Sequence, residues 1–275
     1  MKADKIGLVS RFNSKDSLKL TKNLLSHLNK SDVDILIEKE TAMRIGQQGV
    51  GFSNLEKCDF IVTVGGDGTI LKTFQVLADP VPILGINTGE VGFLTSIERD
   101  ENYKQIVSDK INSFDVEKRE RLKVDVKNKN LPPAVNEVVI LTSEPAKMLQ
   151  LTIKLRGREI ERFRADGLVV STPTGSTAYS MSAGGPILDP NVEAFVLVPI
   201  APYKLSARPF VVPSSFNFTV ELIRKGKEAD LVVDGQTSEK ISEGQKIKFT
   251  KAEKPAFFVK TKGHDFYSKI REKLI

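Results

Sequence analysis

Short apolar runs and helical stretches alternate along the first third of the chain. Ile6-Gly7-Leu8-Val9 reads as a buried strand. Leu20, Leu24, Leu25 and Leu28 then recur at helical spacing, with Asn13 and Ser14 placed to cap the helix. Three more strands are expected over 33–37, 59–64 and 81–86. One helix is expected over 69–78, with Ile70, Leu71, Phe74 and Leu77 on one face, and another over 98–111. Strand–helix alternation of this kind predicts a parallel sheet with crossover helices. The period changes near Ser113. Segments 122–126, 135–141, 149–155, 168–170, 216–223, 231–233 and 246–249 are short and rich in valine, isoleucine and phenylalanine, with glycine, proline or charged turns between them. They predict an all-β, sandwich-like domain. Residues 266–274 look helical and charged. The expected architecture is an α/β domain with a parallel sheet over 1–113, a β-rich domain over 114–260, and a C-terminal helical tail over 261–275 packing back on the first domain.

At 275 residues the chain is long enough for two domains. The net charge of +6 is mild, so it does not call for nucleic acid and suits a small anionic substrate equally well. The single cysteine, Cys58, rules out an internal disulfide or a cysteine metal knuckle and reads as an inert, partly buried thiol. No apolar run has membrane-spanning length, and residues 1–5 lead straight into a strand pattern with no secretory leader. The expectation is a cytoplasmic protein with no membrane partner. His27 and His264, the only histidines, read as surface residues.

The chemistry concentrates after the third expected strand, which runs directly into Gly65-Gly66-Asp67-Gly68-Thr69 and then a helix. Ligands of open α/β sheets bind beyond the carboxyl ends of the strands. Glycines let a backbone approach a ligand closely, and N–H groups at a helix start favour anionic oxygens. Gly65, Gly66 and Thr69 therefore form a candidate phosphate loop. Asp67 is out of place beside phosphate unless it has another task. It could deprotonate an attacking hydroxyl or hold a divalent metal between phosphates. The chain has no Gly-x-x-x-x-Gly-Lys-Ser/Thr loop and no protein-kinase motif set.

Five segments together resemble the NAD kinase family: the 65–69 loop, Asn87-Thr88-Gly89-Glu90-Val91-Gly92-Phe93-Leu94, Asn136-Glu137, Arg164-Ala165-Asp166-Gly167 followed by 172–180, and Asp234-Gly235-Gln236. Their order and spacing agree over about residues 5–275; the first loop alone is shared with lipid kinases and phosphofructokinases. The resemblance implies phosphorylation of the adenosine ribose 2′-hydroxyl of NAD to NADP. The donor would be ATP or polyphosphate, the cofactor a divalent cation (Mg²⁺ or Mn²⁺), and the assembly a homodimer or homotetramer. It places Asp67 on the ribose hydroxyls as the proposed base. It also implies ligand contacts for Gly68, Lys72, Asn136, Glu137, Lys147, Arg164, Asp166, Thr177, Ala178, Tyr179, Ser182, Ala201 and Gln236. Tyr203 departs from the pattern, since the family usually carries histidine after the alanine–proline pair.

The side chains suit those roles. Asn136 offers donor and acceptor, and ionised Glu137 accepts. Both interrupt an otherwise apolar strand and need partners. Tyr179 can stack on a base and still use its hydroxyl. Two rival readings remain at this level: a lipid kinase sharing the first loop, and a non-catalytic dinucleotide sensor. Neither a hydrophobic entry nor a membrane-facing helix is present for the first, and intact Asp67 counts against the second.

Overall fold

A computed structural model describes residues 1–99, 102–127, 129–144, 146–204, 206–223, 225–261 and 266–274. The chain divides into two compact units, Met1–Lys118 with Ala256–Ile275, and Arg119–Pro255.

In the first unit the apolar runs become β1 (Lys5–Ser10), β2 (Asp34–Ile37), β3 (Phe60–Gly65), β4 (Ile83–Asn87), β5 (Ile97–Glu98) and β6 (Val116–Arg119). Between them lie α1 (Lys15–Leu28), α2 (Lys39–Ile45), α3 (Phe52–Leu55), α4 (Asp67–Val76) and α5 (Tyr103–Asn112). Ser14 caps α1, its hydroxyl accepting from the Ser17 N–H at 3.2 Å. Every residue of β3 and β4 is buried, as a central parallel strand covered on both faces should be. The helix expected over 98–111 starts later, at Tyr103, because Ile97 and Glu98 pair with Ile86 and Asn87 as β5. The short helices α2 and α3 were not foreseen.

The second unit holds β7 (Leu122–Val126), β8 (Lys129–Asn130), β9 (Glu137–Thr142), β10 (Leu149–Leu155), β11 (Arg158–Ala165), β12 (Gly167–Ser171), β13 (Ala194–Ile200), β14 (Phe210–Pro213), β15 (Phe218–Leu222), β16 (Glu228–Val233), β17 (Thr237–Ser242) and β18 (Lys246–Lys251). A 3₁₀ turn (Thr174–Thr177) and α6 (Tyr179–Ser182) follow β12. The strands form two six-stranded sheets, β11-β10-β15-β18-β7-β8 and β14-β13-β12-β9-β16-β17. Alternating inward residues of both, such as Val124, Phe163, Phe218, Phe249, Ile140, Leu168 and Leu231, share one core.

The chain then returns to the first unit with β19 (Ala256–Val259) and α7 (Phe266–Leu274). β19 takes its place between β4 and β6, giving the order β2-β1-β3-β4-β19-β6 with β5 on β4. Strands β1 to β5 pair in parallel, and β19 runs parallel to β4. The structure therefore has the expected α/β unit, antiparallel β-rich unit and C-terminal helix. Among the described residues no helix is long and apolar enough to cross a membrane. Cys58 is buried and its thiol is pushed up to about 12 by burial, which leaves it unreactive. His27 bonds to the Ser108 hydroxyl at 3.0 Å and is partly buried, while His264 lies outside the described residues.

Candidate active site

β3 ends at Gly65, and α4 begins two residues later at Asp67. Position 65 has to be glycine, because a Cβ there would strike the Thr69 hydroxyl. The Gly65 carbonyl accepts from the Thr88 N–H at 3.0 Å, which draws the turn after β4 alongside the loop. An open cleft of about 850 Å³ lies here at the carboxyl ends of the strands, lined among others by Arg11, Thr88, Gly89, Glu98 and Arg99.

The Asp67 carboxylate is held by the backbone of the segment after β4. Its Oδ2 accepts the Phe93 N–H at 2.9 Å, and its Oδ1 accepts the N–H groups of Leu94 at 3.0 Å and Thr95 at 3.3 Å. Burial raises its proton affinity above the ordinary carboxyl range; the amides of Leu94 and Phe93, the charge of Lys269 and the amide of Thr95 pull the other way. The result is a fixed carboxylate that is a stronger base than a solvated aspartate. Gly68 is exposed beside it. Lys72 is exposed one turn on, with its ammonium 4.9 Å over the Phe12 ring.

The second unit repeats this device. Asp234 is buried, and its carboxylate accepts the N–H groups of Val135 (2.8 Å), Asn136 (2.8 Å) and Glu137 (3.0 Å). To do so it adopts φ +47°, the left-handed region that costs a non-glycine residue of order 1–3 kcal/mol. The turn fixes Asn136 and Glu137 at the head of β9. Both side chains are buried, and Asn136 Oδ1 and Glu137 Oε2 have no hydrogen-bond partner, nor has the nearby Ser180 Oγ. A buried oxygen costs free energy unless water or another polar group bonds to it. Glu137 is pushed up to about 8 by burial and by the adjacent Asp234 charge, against an N–H bond from Tyr179. That shift favours the neutral acid, which can donate as well as accept.

β12 pairs Ser171 with Glu137, so the turn that follows β12 lies beside this site. Gly175 sits against the Asn136 backbone, where a Cβ would clash with it. Thr177 is buried, Ala178 is half-buried, and Tyr179 is 41% exposed with its ring free to stack. Ser182 and Gln236 are exposed on the same end.

The remaining expected residues lie elsewhere. At the far end of β9 the Thr142 N–H donates to Asp166 and the Asp166 N–H to Ile200. Ala201 follows at φ +44°, and the Arg164 guanidinium lies 5.3 Å from the ring centroid of Tyr203. Lys147 is also at this end: its carbonyl accepts from Thr142, and its ammonium is ion-paired to Glu144 at 2.6 Å. The run from Glu137 to Thr142 puts about 17 Å between the two groups at ~3.3 Å per residue. The chain thus gathers Asn136, Glu137, Thr177, Ala178, Tyr179, Ser182 and Gln236 at one end of the sheet. Lys147, Arg164, Asp166 and Ala201 stand at the other.

The sequence reading missed the Phe93–Thr95 amides, Asp234 as an organiser, and Lys269. It also missed Arg121, which is buried in the second unit and feels the Asp234 charge. Asp234 had a signal as part of an acidic turn, and Phe93 and Leu94 as the end of the 87–94 segment; Lys269 and Arg121 had none.

Comparison with known proteins decides the family. Residues 6–113 match the ATP-NAD kinase N-terminal domain and residues 135–261 the ATP-NAD kinase C-terminal domain. The chain belongs to the NAD kinase family. NAD kinases are phosphotransferases with an alcohol acceptor, and the chain is an enzyme of that kind. It is 44% identical to the NAD kinase of Methanothermobacter thermautotrophicus, covering 98% of this chain and 96% of the relative. The NAD kinase of Methanoculleus marisnigri is 43% identical over 98% of each chain. Its fold is similar to an NAD kinase from Archaeoglobus fulgidus solved with ATP (TM-score 0.80, 34% identity, 97% and 98% of the chains covered). It is also similar to yeast NADH kinase solved with NADH (TM-score 0.90, 26% identity, 100% and 88% covered).

Proposed function

We propose that this NAD kinase transfers a phosphoryl group from ATP or polyphosphate to the adenosine ribose 2′-hydroxyl of NAD, with Asp67 as general base. The observation that carries the base is the Asp67 carboxylate itself, immobilised by N–H bonds from Phe93, Leu94 and Thr95 and raised in proton affinity by burial. A ribose hydroxyl is a poor nucleophile at neutral pH, and a positioned base contributes ~10²–10⁴-fold. The orphaned oxygens of Asn136 and Glu137 support a nucleotide acceptor over a lipid one, because a lipid would leave them unpaired.

Among the described residues no group of three or more His, Cys, Asp or Glu could cage a metal ion. A divalent cation fits this chain as part of the metal–nucleotide substrate, held chiefly by the donor's own phosphates, as magnesium often is. It would neutralise phosphate charge there.

Asp166, Arg164 and Ala201 stand at the opposite sheet end from Glu137, and the family resemblance puts ligand contacts on both groups. We read this as a homo-oligomer, a dimer or tetramer, in which one copy lends its 164–201 end to the site of another. Light scattering after size exclusion tests the assembly, and a purely monomeric active enzyme rejects it.

The deciding assay incubates the protein with NAD, ATP and Mg²⁺ and follows NADP by chromatography, with NADH and polyphosphate as alternative acceptor and donor. Bound NAD without product overturns the kinase reading in favour of a sensor.

A further inference from the structure

The C-terminal helix α7 carries two lysines one turn apart, and both reach the segment between β4 and α5. Lys273 donates to Glu98 Oε1 at 2.9 Å; Glu98 Oε2 accepts from Asn87 Nδ2 at 2.9 Å, and Asn87 Oδ1 accepts the Gly89 N–H at 2.9 Å. Lys269 donates to the carbonyls of Phe93 at 2.9 Å and Thr95 at 2.5 Å. The Phe93 carbonyl and the Leu94 N–H belong to one peptide group, and that N–H donates to Asp67 Oδ1 at 3.0 Å. An ammonium on the oxygen end of a peptide polarises it and strengthens the bond made by its N–H end. Lys269 is therefore one peptide removed from the carboxylate, and it is half-buried.

We propose that Lys269 is a positioning residue for Asp67: by holding the carbonyls of Phe93 and Thr95 and polarising the peptide between Phe93 and Leu94, it fixes the carboxylate in the orientation used for phosphoryl transfer. The proposal rests on the reading of Asp67 as the reacting carboxyl. Lys269 touches neither substrate nor reacting atoms in this scheme, so its loss should slow the chemistry and spare acceptor binding. A misplacement of about 1 Å can cost ~10²-fold in rate.

The test compares steady-state NADP formation by the wild type, Lys269→Met, Lys269→Gln, Lys269→Arg and, as a control on an exposed position of the same helix, Arg271→Ala. The expected result for Lys269→Met is a kcat lowered by about 10–100-fold, with KM for NAD within about threefold. Lys269→Arg should recover most of the loss, Lys269→Gln little of it, and Arg271→Ala should match the wild type. The proposal is overturned by a normal kcat in Lys269→Met, by full activity in Lys269→Gln, or by a loss that Arg does not relieve. If Lys269→Met does not fold, the Gln and Arg pair alone decides. A wild type that makes no NADP, or an Asp67→Asn variant with near-normal turnover, rejects the base reading. An active wild type, an inactive Asp67→Asn and a normal Lys269→Met reject the positioning role alone.

Discussion

Glu137→Gln should remove a pH-dependent penalty that the buried acid imposes on the fold. In the native protein its proton affinity is moved from 4.5 to about 8, first by burial and then by the Asp234 charge. The native state then holds a proton that the unfolded chain releases, so stability falls as pH rises from about 4.5 to about 8 and stays low beyond. At ~1.4 kcal/mol for each tenfold change in proton affinity, the ceiling is about 5 kcal/mol. Glutamine imitates the protonated acid, retaining an acceptor for the Tyr179 N–H, and does not titrate. At pH 5 the two proteins should therefore melt within a few degrees of each other. At pH 9 the variant should be the more stable. With ~2–4 °C per kcal/mol for a protein of this size, the gap should approach about 10 °C. Thermal melts followed by intrinsic fluorescence across that range measure it. Parallel pH profiles for the two proteins would refute the assignment of a neutral Glu137.

Asp67→Asn should lose most turnover, by ~10²-fold or more, while NAD affinity measured by calorimetry stays within a few-fold. Its melting temperature should also fall, because the amide that replaces Oδ2 faces the Phe93 N–H, and a mismatched buried donor costs about 1–3 kcal/mol. Asp234→Asn should weaken NAD binding about tenfold or more, since Asn136 and Glu137 lose the carboxylate that orients them; unchanged affinity would reject that role. Gly175→Ala should destabilise the second unit by 1–3 kcal/mol or more, as overpacking does, and weaken NAD binding together, because the new methyl meets the Asn136 backbone. Excess chelator should abolish NADP formation, and persisting activity would remove the metal–nucleotide substrate from the scheme.

Local signals carried much of the fold. The Phe60–Gly65 run, the glycine turn and the Ile70–Phe74 face announced β3 and α4 because each is written within a dozen residues. The α2 segment was missed because it buries only Thr41, Ala42 and Ile45, although Glu38 caps its start and Gly46 its end. Partners distant in sequence were illegible. Asp67 takes its N–H bonds from residues 26–28 positions later, Asp234 from residues 97–99 positions earlier, and Lys269 acts from the last helix. No local pattern encodes such pairings. For the same reason motif resemblance could name Asp166 and Ala201 as site residues without revealing that they stand a strand's length away from Glu137.

The placement of β19 between β4 and β6 also dictates an order of events during synthesis. Residues 119–255 form a contiguous unit, and a domain of that kind can fold as soon as it leaves the ribosome. The first unit cannot. Its sheet has a vacant slot until Ala256–Val259 emerges, and the amide cradle of Asp67 lacks its lysine until α7 follows. Closing such a long loop is slow and entropically costly. The first unit therefore completes last, around an already folded insertion, and a chain cut short before Ala256 should be both unfinished in its sheet and catalytically silent.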